Sequence, residues 1–215
     1  MIIAVDGPAG SGKSTVSKEV AKRLGITFLD SGALYRTCAY IKISQNLSYD
    51  KLIDVARESK MHFGKNGELY LTMNDLTEEV SGKIRTPEIA SEVPKVAALP
   101  EIRQIVTRKL REMSVIDDVI MDGRDIGTHV FPDADLKFFL VASSEERAKR
   151  RMKDYTEQGI KTSLEEIIKE VEDRDRQDMN REHSPLKKAE DAFEIDTTSL
   201  TIEQVISIIT SEADN

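Results

Sequence analysis

Hydrophobic and polar positions along the chain follow two alternating periods, which predict strands and helices in turn. Short apolar runs, such as residues 2–5 and 136–141, are typical of strands buried in a parallel sheet. Between such runs, apolar side chains recur every three or four residues, as at Val16, Val20 and Leu24. Strands that alternate with amphipathic helices indicate an α/β fold with a parallel sheet.

The pattern predicts five core strands and a set of covering helices. The strands are expected at residues 2–5, 26–29, 118–121, 136–141 and 192–196. Helices are expected at 13–24, from Leu34 onward, and at 101–115, 144–155, 163–181 and 201–209. These elements predict a three-layer α/β domain, in which ligands gather at the carboxyl ends of the strands.

A smaller lobe is predicted within this core. A helix at 50–58 is followed by turn signals at 64–67 and 74–75 and by alternating strands at 68–73 and 76–80. We therefore assign residues 1–38 and 101–215 to the core and residues 39–100 to an inserted lobe with a small β-insert.

The loop after the first strand carries the strongest chemical signal. Its sequence, GPAGSGKST, matches the pattern G-x-x-x-x-G-K-[ST] in the strand–loop–helix context that phosphate-binding loops require. Lys13 is expected to reach the β- and γ-phosphates, and the Ser14 hydroxyl is expected to join the shell of a bound Mg²⁺. The residues predicted to bind a nucleoside triphosphate are Gly7, Pro8, Ala9, Gly10, Ser11, Gly12, Lys13, Ser14 and Thr15.

Acidic side chains follow three of the predicted strands, at Asp6, Asp30 and Asp122. An acid at the end of a strand beside the phosphate-binding loop can hold Mg²⁺, directly or through water. Asp122 is the candidate metal ligand, and Asp125 is expected to face the second substrate. Each acid taken alone is equally compatible with a turn or a cap.

Arg174, Asp178 and Arg181 share one face of the predicted helix 163–181, because they are spaced i, i+4 and i+7. Two arginines that flank a carboxylate suit a ligand with a phosphate and a hydroxyl or amine. A solvated helix face with local ion pairs is the alternative interpretation.

Arg147, Arg150 and Arg151 form another basic face, just before a charged turn near residues 157–159. On a mobile segment they would close over a triphosphate and stabilise charge on the transferring group. Without the phosphate-binding loop, the same face would indicate only a charged surface.

Composition narrows the classes of function. The 215 residues carry a formal net charge of −8, which argues against a general nucleic-acid binder, and no apolar run is long enough for a membrane span. The single cysteine, Cys38, is expected to be buried. Because one cysteine cannot form an internal disulfide, a location in the reducing cytoplasm is expected. His62, His129 and His183 lack metal-binding spacing and are expected to be structural. A monomer is expected.

Four motifs in order, GPAGSGKST at 7–15, LDSGALYR at 29–36, DGRDIGT at 122–128 and SSEERA at 143–148, resemble the bacterial cytidylate kinase family. The resemblance extends through the whole chain. It implies transfer of the γ-phosphoryl group of ATP to CMP or dCMP with Mg²⁺. It also implies a nucleoside monophosphate kinase fold, namely a P-loop core with a monophosphate-binding lobe and a short lid near residues 150–162.

The resemblance also implies roles for single residues, which are as follows: Ser31, with Arg124 and Asp125, near the base; Arg36 and Arg103 for the acceptor, Arg36 at its phosphate; Arg174 and Asp178 near the sugar; and Arg181 near the acceptor and transferring phosphates. Lys13, Arg181, Arg147 and Arg151 are expected to be catalytic through charge neutralisation. Pro94 departs from the family, which often has a serine there that contributes to sugar recognition. The preference between CMP and dCMP therefore stays open.

Three other functions remain open from the residues alone. A regulatory GTP-binding module would carry N-K-x-D and D-x-x-G motifs, and neither string occurs in the chain. A kinase for UMP, AMP or shikimate would use the same core, although an adenylate kinase would show D-G-F-P-R where this chain has DGRD at 122–125. A nucleotide-binding protein without catalysis is the third.

Overall fold

The computed structural model describes residues 1–64, 67–115, 117–157 and 159–213. The chain divides into two compact units. The first comprises Met1–Phe28 and Asp118–Asn215, and the second comprises Leu29–Asp117. The predicted inserted lobe, 39–100, lies within the second unit, which extends further at both ends.

A five-stranded sheet forms the centre of the first unit. Its strands are β1 (Ile2–Asp6), β2 (Thr27–Asp30, which continues into the second unit), β6 (Val119–Gly123), β7 (Leu136–Val141) and β8 (Phe193–Asp196). The strand order is β2-β6-β1-β7-β8, and β1 pairs in parallel with both β6 and β7. The predicted α/β fold with five core strands is confirmed.

The helices of this unit are α1 (Lys13–Leu24), α6 (Ser144–Glu157), α7 (Leu164–Met179) and α8 (Ile202–Ala213). The core is the apolar layer between the sheet and the helices α1 and α8. Val20 of α1, Phe138 of β7 and Ile206 of α8 are all nearly inaccessible to solvent there. Because β1 and β7 are covered, their carboxyl ends are fixed where the loop at 7–15 begins.

Helix α7 ends earlier than predicted, so the prediction that Arg181 lies on the same helix as Arg174 is wrong. Asn180 closes α7 with a hydrogen bond from its N–H to Arg176 O. The chain then folds back, and the N–H of the buried Leu186 donates to Asp178 O at 2.9 Å. The N–H of Leu186 thus occupies the Asp178 carbonyl that a further helical turn would have used.

The second unit contains four helices and an antiparallel sheet among its described residues. The helices are α2 (Ser31–Ser44), α3 (Tyr49–Glu58), α4 (Pro87–Ala98) and α5 (Pro100–Met113). The strands β3 (Lys60–Phe63), β4 (Leu69–Met73) and β5 (Leu76–Glu79) pair in the order β3-β4-β5. β3 and α4 were not predicted. Because α2 packs against α3, α4 and α5, these helices form one unit with the small sheet.

Two of the predicted turns include residues outside the described ones, namely 65–66 in the turn at 64–67 and 158 in the turn at 157–159. The turn at Asn74 and Asp75 is present, and both residues have positive φ, 48° and 61°. Cys38 of α2 is fully buried, as predicted, and this burial raises the pKa of its thiol to about 12. Within the described residues, no helix is both long and apolar enough to cross a membrane.

Candidate active site

The loop at residues 7–15 is wedged between the end of β7 and the start of α6. Gly7 has a φ of +148°, and a Cβ there would lie 2.1 Å from Leu140 O, so no side chain fits. Gly12 has a φ of +90° in the left-handed region that glycine favours, and it is the N-cap of α1. This geometry leaves the first N–H groups of α1 available for phosphate oxygens.

Lys13 is buried against its own loop. Its Nζ donates to Pro8 O at 2.6 Å and lies 3.3 Å from Ser11 Oγ. Burial, with the charge of Arg124, lowers the pKa of this amine to about 7, and the nearby Asp122 only partly opposes that shift. The acids that act on this amine among the described residues do not compensate for its burial, so a bound phosphate would add a favourable negative charge.

Ser14 and Asp122, the two predicted metal ligands, lie together. The Ser14 hydroxyl donates to Asp122 Oδ2, and Asp122 is 3% exposed. A hydroxyl and a carboxylate oxygen are ligands that Mg²⁺ accepts. The described residues contain no group of three or more His, Cys, Asp or Glu side chains that could hold a metal ion. The pair thus fits an ion that takes its other oxygens from phosphate groups and water.

Asp6, the last residue of β1, orders the neighbouring loop and does not pair with Ser14. Its carboxylate accepts the N–H groups of Ile126 and Gly127 at 2.8 and 2.7 Å. Burial raises the pKa of Asp6 to about 7 although these hydrogen bonds oppose the shift. They fix a turn of π-helix, Ile126–Val130, directly after Arg124 and Asp125. The sequence pattern did not predict this turn.

Three arginines converge on the buried carboxylate of Asp178, which is 1% exposed. Arg124 Nε lies 2.8 Å and Arg174 Nε 3.4 Å from Oδ2, while Arg181 donates from Nη2 to Oδ1. Burial raises the pKa of Asp178, but the three guanidinium charges outweigh it and hold the pKa below its ordinary value. Three positive charges around one negative charge make a site for an anion.

The arginines of α6 are engaged with other parts of the first unit. Arg147 donates to Ala9 O and Ala142 O, each at 3.0 Å, and pairs with Asp175 of α7 at 2.6 Å. Arg150 donates to Thr197 O at 2.8 Å, and Thr197 Oγ1 lies 3.3 Å from Ser11 O.

Arg151 pairs with Glu170 of α7 at 2.7 Å and donates to Tyr155 Oη at 3.0 Å. Of the predicted lid arginines, Arg147 therefore contacts the phosphate-binding loop, whereas Arg151 links α6 to α7. Their catalytic roles remain predictions.

The remaining predicted substrate ligands, Ser31, Arg36 and Arg103, belong to the second unit. Ser31 is the first residue of α2 and is 4% exposed. Arg36 pairs with Asp30 at 2.6 Å. Arg103 donates to Ala97 O at 3.2 Å, and its guanidinium lies 5.4 Å from the centre of the Tyr35 ring.

Asp125 of the first unit is 4% exposed, and Pro94 lies within α4 of the second. The residues expected at the acceptor are thus divided between the two units. In the first unit Arg124, Arg174 and Arg181 contact Asp178, and in the second Ser31 and Arg36 belong to the same helix.

Comparison with known proteins identifies the family. A family model described as cytidylate kinase matches residues 3–215. The chain belongs to the cytidylate kinase family. It is 46% identical to a cytidylate kinase of Clostridioides difficile, over 99% of this chain and 97% of the relative. It is 47% identical to a cytidylate kinase of Lactobacillus johnsonii, over 98% of this chain and 92% of the relative.

Solved structures support the fold of this cytidylate kinase family member at much lower identity. An uncharacterised protein from Eubacterium ventriosum aligns with a TM-score of 0.55 and 13% identity, over 100% of this chain and 99% of that one. Shikimate kinase from Bacteroides thetaiotaomicron aligns with a TM-score of 0.50 and 13% identity, over the same shares. Both show the fold alone.

Several residues that stabilise the site of this cytidylate kinase family member were not singled out from the sequence. Thr197 and Asp175 are two of them, and Arg85, which lies 3.4 Å from Asp30, is a third. Asp175 stands in a charged run next to Arg174, where nothing separates a buried acid from exposed ones. Thr197 follows the predicted strand 192–196, and its position at a carboxyl end was a usable signal.

Proposed function

We propose that this protein is a cytidylate kinase, which transfers the γ-phosphoryl group of ATP to CMP or dCMP and releases ADP with CDP or dCDP. The observation that carries this proposal is the Asp178 cluster, which lies in the same unit as the phosphate-binding loop. The charges of Arg124 and Asp178 both act on the Lys13 amine, so the cluster and the loop are electrostatic neighbours. The net positive charge of the cluster, next to a triphosphate site, suits an acceptor nucleotide that carries a phosphate group.

The donor is held by the loop and by Lys13. The N–H groups at the start of α1 and the Lys13 amine neutralise phosphate oxygens, which in phosphoryl transfer matters more than covalent assistance. Ser14 and Asp122 would hold the Mg²⁺ ion, which when bound neutralises charge on the transferring phosphates. Arg147 holds the phosphate-binding loop in place by donating a hydrogen bond to Ala9 O.

The acceptor needs orientation more than activation. A nucleoside monophosphate is already an anionic nucleophile, so no strong general base is required. Arg36, Arg103 and Arg181 are proposed to neutralise it, whereas Ser31 and Asp125 are proposed to recognise the base. Arg174 and Asp178 are proposed to hold the sugar. A cytoplasmic monomer, as expected from the sequence, is part of this proposal.

The test offers CMP, dCMP, UMP, AMP, GMP and shikimate singly with ATP and Mg²⁺, and measures ADP release. Turnover confined to the cytidylates is expected, and their ratio answers the question that Pro94 leaves open. Lys13→Ala should lower kcat about 100-fold or more, because the phosphate-clamping charge is lost. Best turnover with AMP or shikimate, or ATP binding without turnover of any acceptor, would overturn the proposal.

A further inference from the structure

Two arginines of the second unit share one carboxylate oxygen. Arg36 Nη2 lies 2.6 Å from Asp30 Oδ2, and Arg85 Nη2 lies 3.4 Å from the same atom. The other oxygen, Oδ1, accepts the N–H of Ala33 at 2.9 Å and caps α2. Asp30 therefore divides its roles, with one oxygen for the helix and the other for the two guanidinium groups.

This arrangement leaves positive charge and hydrogen-bond donors unused. Two guanidinium groups against one carboxylate leave one positive charge in excess, and each guanidinium carries about five N–H donors. Within the described part of the chain, the buried Nε of Arg36 has no hydrogen-bond partner. One guanidinium group can donate two parallel hydrogen bonds to the oxygens of a phosphate. A phosphate group can thus use donors that one carboxylate oxygen does not.

Arg85 is placed for recognition more than for stability. Its side chain is 56% exposed, whereas that of Asp30 is 10% exposed. An ion pair with one partner this exposed contributes little to stability. Its backbone is nevertheless fixed on both sides, since Ile84 is buried and Thr86 caps α4 by accepting the N–H of Ile89.

We propose that Arg85 is a second arginine for the phosphate group of the acceptor, held beside Arg36 by Asp30. This inference rests on the proposed function, because it assigns a ligand to the acceptor of that reaction. The phosphate takes donors from both guanidinium groups. Asp30 is a positioning residue, because its charge keeps two like-charged side chains together before the acceptor binds.

Arg85→Gln tests this inference. The KM for CMP should rise about 10- to 100-fold, because a hydrogen bond to a charged group is lost, while kcat and the KM for ATP should change less than about twofold. Arg57→Gln is the matched control. Arg57 is another exposed arginine of the second unit, 3.5 Å from Asp54 on the same helix, and its loss should leave all three constants unchanged.

Cytidine separates phosphate binding from a merely structural role, because it has the base and sugar of CMP without the phosphate. Arg85→Gln should leave the inhibition constant of cytidine against CMP unchanged and should weaken competitive inhibition by inorganic phosphate. An unchanged KM for CMP, or a parallel loss of affinity for CMP and cytidine, would overturn the inference. If the wild-type protein prefers another monophosphate, the proposed function fails, and that monophosphate and its nucleoside then decide the role of Arg85.

Discussion

Lys13 donates to Pro8 O instead of to an acid, and burial holds the pKa of its amine at about 7, far below the ordinary value near 10.5. Around pH 8 the amine of the free protein is therefore mostly neutral. A bound triphosphate supplies negative charge, which favours the protonated amine. Binding of ATP at pH 8 should accordingly take up close to one proton, whereas at pH 6 the amine is already charged and uptake should be small.

Calorimetry of ATP·Mg²⁺ binding in two buffers of different ionisation enthalpy measures this uptake. The apparent binding enthalpy should depend on the buffer at pH 8 and hardly at all at pH 6, which is the internal control. At pH 8 free ATP carries no titrating phosphate proton, so the signal belongs to the protein. Equal enthalpies in both buffers at pH 8 would show that Lys13 is already charged in the free protein.

The Asp178 cluster shows what could be predicted at the scale of a residue. The i, i+4 spacing of Arg174 and Asp178 predicted a shared helix face, and the two side chains do pair, at 3.4 Å. Arg181 reaches the same carboxylate, but from beyond the end of α7. Arg124 stands 54 residues before Asp178 along the chain, so no local period places it there. Only the resemblance had brought Arg124 to the acceptor.

Among the elements, α1 was predicted to the residue because its signals agree. The loop ends at Gly12, apolar side chains follow at helical spacing, and Gly25 closes the helix with a φ of 68°. β3 was missed because Met61 is its only buried residue, which is too little alternation to detect.

Helix α4 was missed, although Thr86 and Pro87 mark its start in the sequence. Thr86 is the N-cap, and Pro87 occupies the first turn, where proline is favoured. That signal was available from the sequence. Pro94 lies inside the same helix, where a proline usually argues against a helix and removes one donor from the ladder.

Helices α6 and α7 are joined by a buried ion pair whose loss should be costly. Arg147 is 7% and Asp175 12% exposed at the side chain, and they lie 2.6 Å apart. Arg147→Met would leave Asp175 buried without its partner, and its Oδ1 already finds no hydrogen-bond donor among the residues that the structure describes. The free energy of unfolding should fall by about 3–5 kcal/mol, as measured by urea denaturation.

Asp175→Asn in the Arg147→Met background should recover part of that loss, because it removes the uncompensated charge. Lys149→Met is the matched control on α6. Its pair with Glu145 lies on the surface at 2.6 Å, with both side chains more than half exposed, so its removal should change stability little. Similar effects of Arg147→Met and Lys149→Met would show that burial of the Arg147 pair is unimportant.

For the molecule as a whole, the alternation of strands and helices predicted the α/β class and the order of its core elements. The grouping of helices followed another rule. The lobe was predicted as residues 39–100, which assigned the first part of α2 and nearly all of α5 to the core. In the structure both helices pack with α4 in the second unit. Periodicity shows which face of a helix is buried and not which neighbour covers it, so the limits of a unit depend on packing that no local pattern contains.

The net charge of −8 repels an anionic substrate over long distances, whereas the arginines of the site attract it over short distances. Repulsion by the whole chain acts over long range and is screened by salt, with a Debye length of about 10 Å at 0.1 M. Attraction by the arginines on Asp178 acts at contact, and Arg181 and Asp178 are only 10% and 1% exposed, so salt screens it less.

The KM for CMP should therefore change less than about threefold between roughly 20 and 200 mM KCl, because weaker repulsion offsets the modest loss of attraction. A protein that binds nucleic acid through several exposed phosphate contacts loses about 10³- to 10⁵-fold in affinity over a similar range. Initial rates at fixed ATP and Mg²⁺ measure the KM, and the KM for ATP is followed in parallel. A steep, continuous rise of the KM for CMP with salt would show that exposed charges such as Arg85 dominate acceptor binding and that the buried arginines on Asp178 contribute little to it.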